Sequence, residues 1–560
     1  MNFSPEQAIA ILVTLVAGLF YFYKRSLRYL QYFQQEEYEG GRFVRWFLAN
    51  KAWDKITTAL LAVPVIASFI FRGPLVYGIL VLVCGALVYV AMSEEDPLKA
   101  GKLTLKMTDR VKRIHRLAIL FHGVAMVLVA GMLLFKGENL AFPLFLVYLI
   151  FFVQSNPFWL LLSNSALDPY EKSLQEGFAD EARARLKECA PRVIGITGSY
   201  GKTSTKILLK DILGSSFPTF STPGSVNTYM GVTRKIREEM KPEHKFAVIE
   251  MGAYYEGSIS RMCSLTPPDC ALVTTVGLAH LERFGSQETI YRAKSELPQA
   301  VPEDGVLVVN GDNEFTRRMA TEYPKKHTYI YGMDSQNGHL DSLMTDIVYD
   351  DEGTRFKITW QGEEYEGFTR LLGKPMLQNV LGAFTMACAV GVSPDMALAA
   401  IRNAKAESNR LELQKGPIAI LAGANGKAPR EGKVVRLNDA YNSNPVGFDS
   451  ALEVLSQISG NRKILVTPGM VELGDKQMEE NRLVASKAAG FCDLVLVIGD
   501  TNSDALISGL KDGGLDESKF RKFSQMKEAL SYLATEYCES GDIVLIENDL
   551  PDLYEGVVKF

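Results

Sequence analysis

The stretch Val193-Ile-Gly-Ile-Thr-Gly-Ser-Tyr-Gly-Lys-Thr-Ser-Thr205 decides the fold of the larger part of this chain. Its first five residues are rich in β-branched side chains and predict a buried strand. A glycine turn follows, and a helix is expected to begin near Lys202. Gly198 and Gly201 let backbone amides approach phosphate oxygens, and the helix N-terminus adds its partial positive charge. Ser199, Tyr200 and Ser204 belong to the same turn. Lys202 is placed to reach β- and γ-phosphates, and the Thr203 hydroxyl to ligate Mg²⁺. The full G-x-x-x-x-G-K-[ST] pattern has glycine where Ile196 stands here, so this is a shortened phosphate loop. It predicts a nucleoside triphosphate site.

Outward from that loop, the runs VIGIT, FAVIEMG, ALVTTVG and GVLVVNG alternate with helical patterns, the signature of a parallel sheet with crossover helices. A more β-like insertion is expected around 340–370, with a helix-rich return near 376–405. A second, Rossmann-like α/β unit begins near 410, with strands such as KILVTPG, LVLVIGD and DIVLIEN. Residues 166–190 read as a polar helical connector. The expected organisation is a membrane α-helical domain over 1–165, the connector, an α/β domain over 191–405 and a second one over 406–560.

The first 165 residues differ in texture. Apolar runs at about 7–23, 55–71, 75–92, 117–135 and 140–163 each approach the ~20 residues that cross ~30 Å of hydrocarbon as a helix. They predict five spans, the second being the shortest and holding Pro64. The first run lacks the basic leader of a signal peptide. Basic residues collect between the first and second runs (Lys24, Arg25, Arg28, Arg42, Arg45, Lys51, Lys55) and between the third and fourth (Lys99 to Arg116). Such loops stay in the cytoplasm, so the N-terminus is expected outside and the soluble part inside. Trp46, Trp53 and Trp159 sit where interfacial tryptophans do. The aromatic and charged stretch Tyr29–Phe47 is either an interfacial helix or a grip on a lipid headgroup. His122, inside the fourth run, is either a functional intramembrane group or a packing histidine.

The whole chain has 560 residues, enough for several domains, and at 47% hydrophobic and 22% charged it is not disordered. A net charge of −5 argues against a nucleic-acid binder. The seven cysteines are scattered without a C-x-x-C pair, as reduced cytoplasmic thiols are.

TGSYGKTST resembles the ATP loop of the Mur ligases, ATP-dependent amide ligases of peptidoglycan precursor synthesis, and later motifs fall in that family's order. Glu250-Met-Gly-Ala resembles the segment with the metal-binding glutamate. Thr275–Ser286 is similar to the segment that supplies a second metal ligand, here His280. Tyr291-Arg-Ala-Lys294-Ser-Glu-Leu297 resembles the site of a carbamylated lysine, and Val309-Asn310-Gly-Asp-Asn313 the adenine-side loop. Asn409-Arg410-Leu resembles the segment whose arginine enters the ATP site. Asp439-Ala-Tyr-Asn-Ser-Asn-Pro445 and Gly469-Met-Val-Glu-Leu-Gly474 are especially like the branch that adds D-alanyl-D-alanine.

The resemblance implies ATP and Mg²⁺ as cofactors, with Lys202, His280 and Lys294 catalytic. Thr203 and Glu250 would hold one metal, and His280 and carbamylated Lys294 a second. Gly198–Ser204, Asn310, Arg410 and Asp439 would bind ATP. Asn227, Thr228, Tyr441, Asn442 and Asn444 would meet substrate. Asn227 is otherwise a helix cap, and Asn442 and Asn444 otherwise fix a turn. Three features depart from the family. Membrane runs replace its uridine-nucleotide domain, Gly373-Lys-Pro-Met376 stands where Gly-x-His-Asn is common, and Glu547-Asn-Asp-Leu-Pro551 replaces Lys-Gly-Ser-Arg. These point to a membrane-anchored ligase that joins a lipid-linked or envelope-destined carboxylate to an amino-acid or dipeptide amine, beside envelope-synthesis proteins in the bacterial inner membrane. The alternatives are a poly-γ-glutamate-type synthetase, a P-loop transport ATPase and a silent scaffold.

Overall fold

In the computed structural model of the chain, the described residues are 5–36, 38–71, 73–99, 104–135, 141–277, 284–405, 410–421, 428–440, 443–471 and 473–548. They divide into two compact units, with the boundary between Glu176 and Gly177.

The first unit is all helical: α1 (Pro5–Gln35), α2 (Gly40–Ala49), α3 (Lys55–Ile70), α4 (Pro74–Ser93), α5 (Asp109–Phe135), α6 (Ala141–Gln154) and the start of α7 (Asn156–Cys189). Local chemistry sets several of the boundaries. Glu39 caps α2 by accepting from Arg42 N, Asp54 caps α3 by accepting from Thr57 N, and Pro74 opens α4 where its missing N–H costs nothing. Arg25 of α1 pairs with Asp54 Oδ2 at 3.2 Å and with Glu94 Oε1 at 2.5 Å. The α3–α4 hairpin therefore starts and finishes at one level of the bundle.

The expectation of five spans needs correction. Among the described residues three helices, α1, α4 and α5, contain stretches long and apolar enough to cross a membrane, and the bent α6–α7 pair makes a fourth if it counts as one span. The run at 55–71 forms a helix of 16 residues, about 24 Å at 1.5 Å per residue, which falls short of the hydrocarbon thickness. The run at 140–163 is broken at Ser155, where the two helix axes meet at 62°. Residues 166–190, expected as a polar helical connector, lie almost wholly in α7, which starts at Asn156.

The second unit opens with a nine-stranded sheet in the order β2-β3-β1-β4-β5-β6-β7-β8-β9. In chain order its elements are β1 (Arg192–Thr197), α8 (Lys202–Gly214), β2 (Thr219–Ser221), α9 (Tyr229–Glu239), β3 (Phe246–Glu250), α10 (Ser258–Leu265), β4 (Cys270–Val273), α11 (Gln287–Ala300), β5 (Val306–Asn310), α12 (Glu314–Glu322) and β6 (His327–Gly332). The strands from β2 to β7 pair in parallel. The β-like insertion is β7 (Ser342–Tyr349), β8 (Thr354–Trp360) and β9 (Glu363–Thr369), an antiparallel meander on the sheet edge. Helices α13 (Lys374–Ala389) and α14 (Pro394–Arg402) follow.

Alternation along the strands buries both faces. Ile194, Ile196, Val248 and Leu272 enter the core under α8 and α13, whereas Ala247, Ile249, Ala271 and Val273 enter the core under α9, α10 and α11. The remaining elements are β10 (Glu412–Pro417), β11 (Lys433–Asp439), α15 (Pro445–Gln457), β12 (Lys463–Thr467), α16 (Gln477–Ala489), β13 (Leu494–Ile498), α17 (Ser503–Asp512), β14 (Phe520–Phe523), α18 (Met526–Tyr532) and β15 (Ile543–Glu547). They build a six-stranded sheet, β10-β11-β15-β12-β13-β14, parallel except for β10. One buried cluster runs from the first sheet through Leu372, Leu377 and Leu411 to Phe448, Leu465 and Leu545 of the second.

Because that core is shared, Phe448→Ala should cost about 3–5 kcal/mol and lower the unfolding temperature of both α/β sheets together. Calorimetry showing the C-terminal sheet melting alone in the variant would contradict the shared core.

Candidate active site

The phosphate loop is held so closely that side chains are excluded at two positions. Gly198 has φ +155° and Gly201 has φ +79°. A Cβ on Gly198 would lie 1.9 Å from Thr274 Oγ1, and one on Gly201 would lie 2.2 Å from Asn379 Oδ1. The Thr274 hydroxyl donates to Tyr200 O at 2.6 Å, and Thr205 Oγ1 donates to Asn379 Oδ1 at 3.2 Å. Ser199 Oγ accepts from Gly277 N at 2.9 Å, and the half-exposed Tyr200 ring lies over Gly277. Gly201 brings no side chain to cap α8, so the first amides of that helix stay available to anionic oxygens. This cradle fits the phosphates of a nucleotide.

Two lysines meet inside it. Lys202 Nζ donates to Gly198 O at 2.7 Å, and Lys294 Nζ, from α11, donates to the same carbonyl at 2.9 Å. Burial lowers the pKa of Lys202, against the pull of Glu250. Burial and then the Lys202 charge hold Lys294 well below the usual lysine value. A buried lysine held toward the neutral amine has the form that reacts with CO₂ to give a carbamate.

Beside them lies Glu250, at the end of β3 and 1% exposed. Its Oε1 accepts from Thr203 Oγ1 at 3.1 Å and from Asn227 Nδ2 at 2.9 Å. Its Oε2 is paired with Lys206 Nζ at 3.0 Å, the lysine being fully buried. Lys206 also donates to Gly224 O. A carboxylate and a hydroxyl turned toward each other at the phosphate loop are hard oxygen donors that suit Mg²⁺. No group of three or more His, Cys, Asp or Glu gathers among the described residues, here included.

The other expected residues are scattered around this centre. Arg410 Nη1 reaches Ser204 Oγ at 3.4 Å, bringing the start of the C-terminal sheet domain to α8. Asn310 ends β5, 3% exposed, and its Oδ1 accepts from Asp312 N. Asp439 Oδ1 accepts from Leu411 N at 3.0 Å. Two side chains expected to meet substrate are helix caps: Thr228 accepts from Gly231 N at the start of α9, and Asn444 accepts from Gly447 N at the start of α15. Asn227 is not the cap of α9; it binds Glu250 and accepts from Tyr254 OH at 3.0 Å. His280, Tyr441 and Asn442 lie outside the described residues.

Glu547 stands opposite Asp439 on the neighbouring strand and is 1% exposed. Ser443 Oγ donates to its Oε1 at 2.6 Å, and its Oε2 is buried with no donor to receive. Burial first, and then the Asp439 charge, raise the Glu547 pKa well above the usual value. Burial raises Asp439 to about 6. Both carboxyl groups are thus biased toward their neutral form. Where Lys-Gly-Ser-Arg is expected of the family, the chain thus places a buried carboxyl group opposite Asp439.

Comparison with known proteins gives this geometry its family. Residues 196–387 match the Mur ligase middle domain, and residues 427–547 match the Mur ligase, glutamate ligase domain. The UDP-N-acetylmuramoyl-tripeptide–D-alanyl-D-alanine ligase of Escherichia coli is 32% identical over 330 residues, 59% of this chain and 69% of that protein. The chain belongs to the Mur ligase family. The Bacillus subtilis ligase of the same name is 29% identical over 380 residues, 68% of this chain and 77% of the relative. Among solved structures, MurF from Acinetobacter baumannii superposes with TM-score 0.56 at 26% identity, covering 67% of this chain and 77% of that one. MurF from Thermotoga maritima in complex with ADP gives 0.55 at 25%, covering 67% and 80%. As a Mur ligase, the protein forms amide bonds at the expense of ATP, with Mg²⁺, and the helical unit before residue 177 is an addition to the two matched domains.

Sequence reading missed Lys206, Thr274 and Tyr254. Lys206 lies one turn beyond Lys202 on α8, and that spacing was the signal; Thr274 and Tyr254 become visible only in the folded chain.

Glu547→Gln tests the carboxyl pair. Raised carboxyl pKa values stabilise the fold fully below the ordinary value near 4, and that stability is lost as pH rises through the raised values. The wild type should lose a few degrees of melting temperature relative to Glu547→Gln between about pH 5 and pH 8. Parallel pH profiles would contradict the upward shift.

Proposed function

We propose that this Mur ligase is anchored in the cytoplasmic membrane and joins the carboxylate of a muramyl-peptide precursor to an amino-acid or dipeptide amine. The observation that carries the chemistry is the phosphate loop with Lys202, Lys294 and the Thr203–Glu250 pair around one carbonyl and one carboxylate. The γ-phosphoryl group passes from ATP to the substrate carboxylate, giving an acyl phosphate and ADP. The amine then attacks the acyl carbon, phosphate leaves, and the amine proton goes to solvent or phosphate. Lys202 binds the phosphoryl oxygens as charge spreads over them. Thr203 and Glu250 hold one Mg²⁺, and His280 with carbamylated Lys294 holds a second. Bound there, the metal supplies charge neutralisation for phosphoryl transfer. Gly198–Ser204 and Asn310 seat the nucleotide, with Arg410 and Asp439 closing on it. Asn227 keeps Glu250 turned to Thr203, and Thr228, Tyr441, Asn442 and Asn444 shape the substrate side.

The relatives are named for UDP-N-acetylmuramoyl-tripeptide and D-alanyl-D-alanine, which makes that pair the first substrates to try. The helical unit favours a lipid-linked form of the acceptor. It carries the long apolar helices α1, α4 and α5, and large apolar side chains such as Phe69, Leu82 and Met132 are exposed on it, as lipid-facing residues are. The Arg25–Asp54–Glu94 cluster brings the ends of the first two basic segments together, in keeping with a single cytoplasmic face. On that reading the domains are 1–165, a connector over 166–190, 191–405 and 406–560, with the last two in the cytoplasm beside envelope-synthesis partners. A poly-γ-glutamate-type synthetase is the rival, and product length separates the two.

Detergent-purified protein should release ADP only when both acceptor and amine are present, with one new amide seen by mass spectrometry. Lys202→Ala should lower that rate by about 100-fold or more. Steady hydrolysis without acceptor or amide product would favour a transport ATPase instead. A soluble variant that keeps full activity on UDP-linked acceptor and gains nothing from a lipid-linked one would remove the membrane reading.

If Lys294 is carbamylated, ligation should fall several-fold in CO₂-stripped buffer and return on adding bicarbonate, while Lys294→Ala responds to neither. Equal rates in both buffers would leave Lys294 an amine.

A further inference from the structure

The Glu250 oxygen that meets Thr203 is also held by a chain of contacts from the opposite side. Asn227 Nδ2 donates to Glu250 Oε1 at 2.9 Å, and Asn227 Oδ1 accepts from Tyr254 OH at 3.0 Å. An ionised carboxylate only accepts, so Glu250 decides which end of the amide faces it. The other end is then an acceptor, and the Tyr254 phenol meets it with a donor. Two anchors, one at each end of the amide, fix its plane, whereas one alone would let it turn.

The main chain brings Tyr254 to that position. Strand β3 ends at Glu250, and Gly252 N donates to Asn227 O at 3.1 Å. A Cβ on Gly252 would lie 3.1 Å from Asn227 Cγ, so any side chain there would press on the amide. Ser258 Oγ accepts from Tyr254 N at 3.2 Å and from Tyr255 N at 3.0 Å, which closes the turn before α10. Glu296 of α11 accepts from Gly257 N and Ser260 N. Lys294 lies two residues before Glu296, so the helix that carries it also fastens the segment that carries Tyr254. Of the two adjacent tyrosines, Tyr254 is half-buried beside Asn227 and Tyr255 is 56% exposed.

We propose that Tyr254 is a positioning residue for the metal: its phenol sets the Asn227 amide, and through it the Glu250 oxygen that meets Mg²⁺. The inference rests on the reading of Thr203 and Glu250 as ligands of one metal. As the chain stands, Oε1 receives hydrogen bonds from both Thr203 and Asn227. Once Thr203 turns a lone pair to a cation that Oε1 also holds, its own bond to Oε1 is given up. The Asn227 bond then keeps the carboxylate oriented, and the phenol keeps Asn227. Partners directly behind a metal ligand change metal affinity by about 10–100-fold. Tyr254 stands one step further back, so its effect is smaller.

The test titrates Mn²⁺ into the full-length protein in detergent, loaded with the β,γ-imido analogue of ATP, and reads bound Mn²⁺ by electron paramagnetic resonance. Tyr254→Phe should weaken Mn²⁺ binding about 5-fold, and Asn227→Ala about 10-fold. Adding Tyr254→Phe to Asn227→Ala should change nothing more, because the phenol acts through the amide. Affinity for ADP in the presence of EDTA should stay within about 2-fold of wild type in Tyr254→Phe. Thr203→Val, which removes a ligand, is the control and should bind Mn²⁺ weakly. If Thr203→Val binds like wild type, or wild type adds nothing to the free analogue, the metal reading falls and this inference with it. If Thr203→Val is weak but Tyr254→Phe matches wild type, the role of Tyr254 alone is overturned. Equal weakening by Tyr254→Phe with and without Asn227 overturns it too, as does an equal loss of metal-free ADP binding. Should Asn227→Ala not fold, Asn227→Ser serves in the same comparison.

Discussion

The buried ion pair between Glu250 and Lys206 is the constraint on which the catalytic half of the molecule depends. Both side chains are withdrawn from water, at 1% and 0% exposure. Burying a carboxylate alone would drive it to the neutral acid, which is a poor ligand for a cation. Lys206 supplies the opposite charge and fixes Oε2, and so leaves Oε1 turned toward Thr203 and Asn227. The pair also joins the end of β3 to α8, and the Gly224 carbonyl ties the 222–227 segment to both. Removing one partner would leave an uncompensated charge in the core, so orientation and stability rest on the same contact.

Much of this half was legible in the sequence because it is local. The strand–turn–helix of residues 193–205 specifies its own backbone, and β-branched runs at regular spacing specify a parallel sheet covered on both faces. The closeness of the loop to its neighbours was not legible. Thr274 comes from the end of β4 and Asn379 from α13, and only the folded sheet brings them to Gly198 and Gly201. Thr228 and Asn444 show the opposite limit. Their residue types suit both substrate contact and helix capping, and the structure uses their side chains as caps.

The helical unit was readable as apolar but not as a set of crossings. Composition gives run length, whereas crossing needs one continuous helix. Pro64 sits inside the 16-residue α3, and Ser155 interrupts the last run. The same break places Asn156, 1% exposed, at the first position of α7.

Charge compensation divides the active-site lysines into two kinds. Lys206 has a carboxylate at 3.0 Å and is complete within the protein. Lys202 and Lys294 share one neutral carbonyl, and each is held below its ordinary pKa by burial. Two amino groups converging on a single carbonyl have more donors than that acceptor can satisfy. Anionic oxygens entering between the helix N-terminus and Lys202 would complete the arrangement, as would the proposed carbamate on Lys294. Both changes bring negative charge to the same few ångströms, where a divalent cation then has both a reason to bind and ligands to hold it. The protein thus leaves unbalanced the charges that nucleotide and metal will meet, and balances internally the one that positions Glu250.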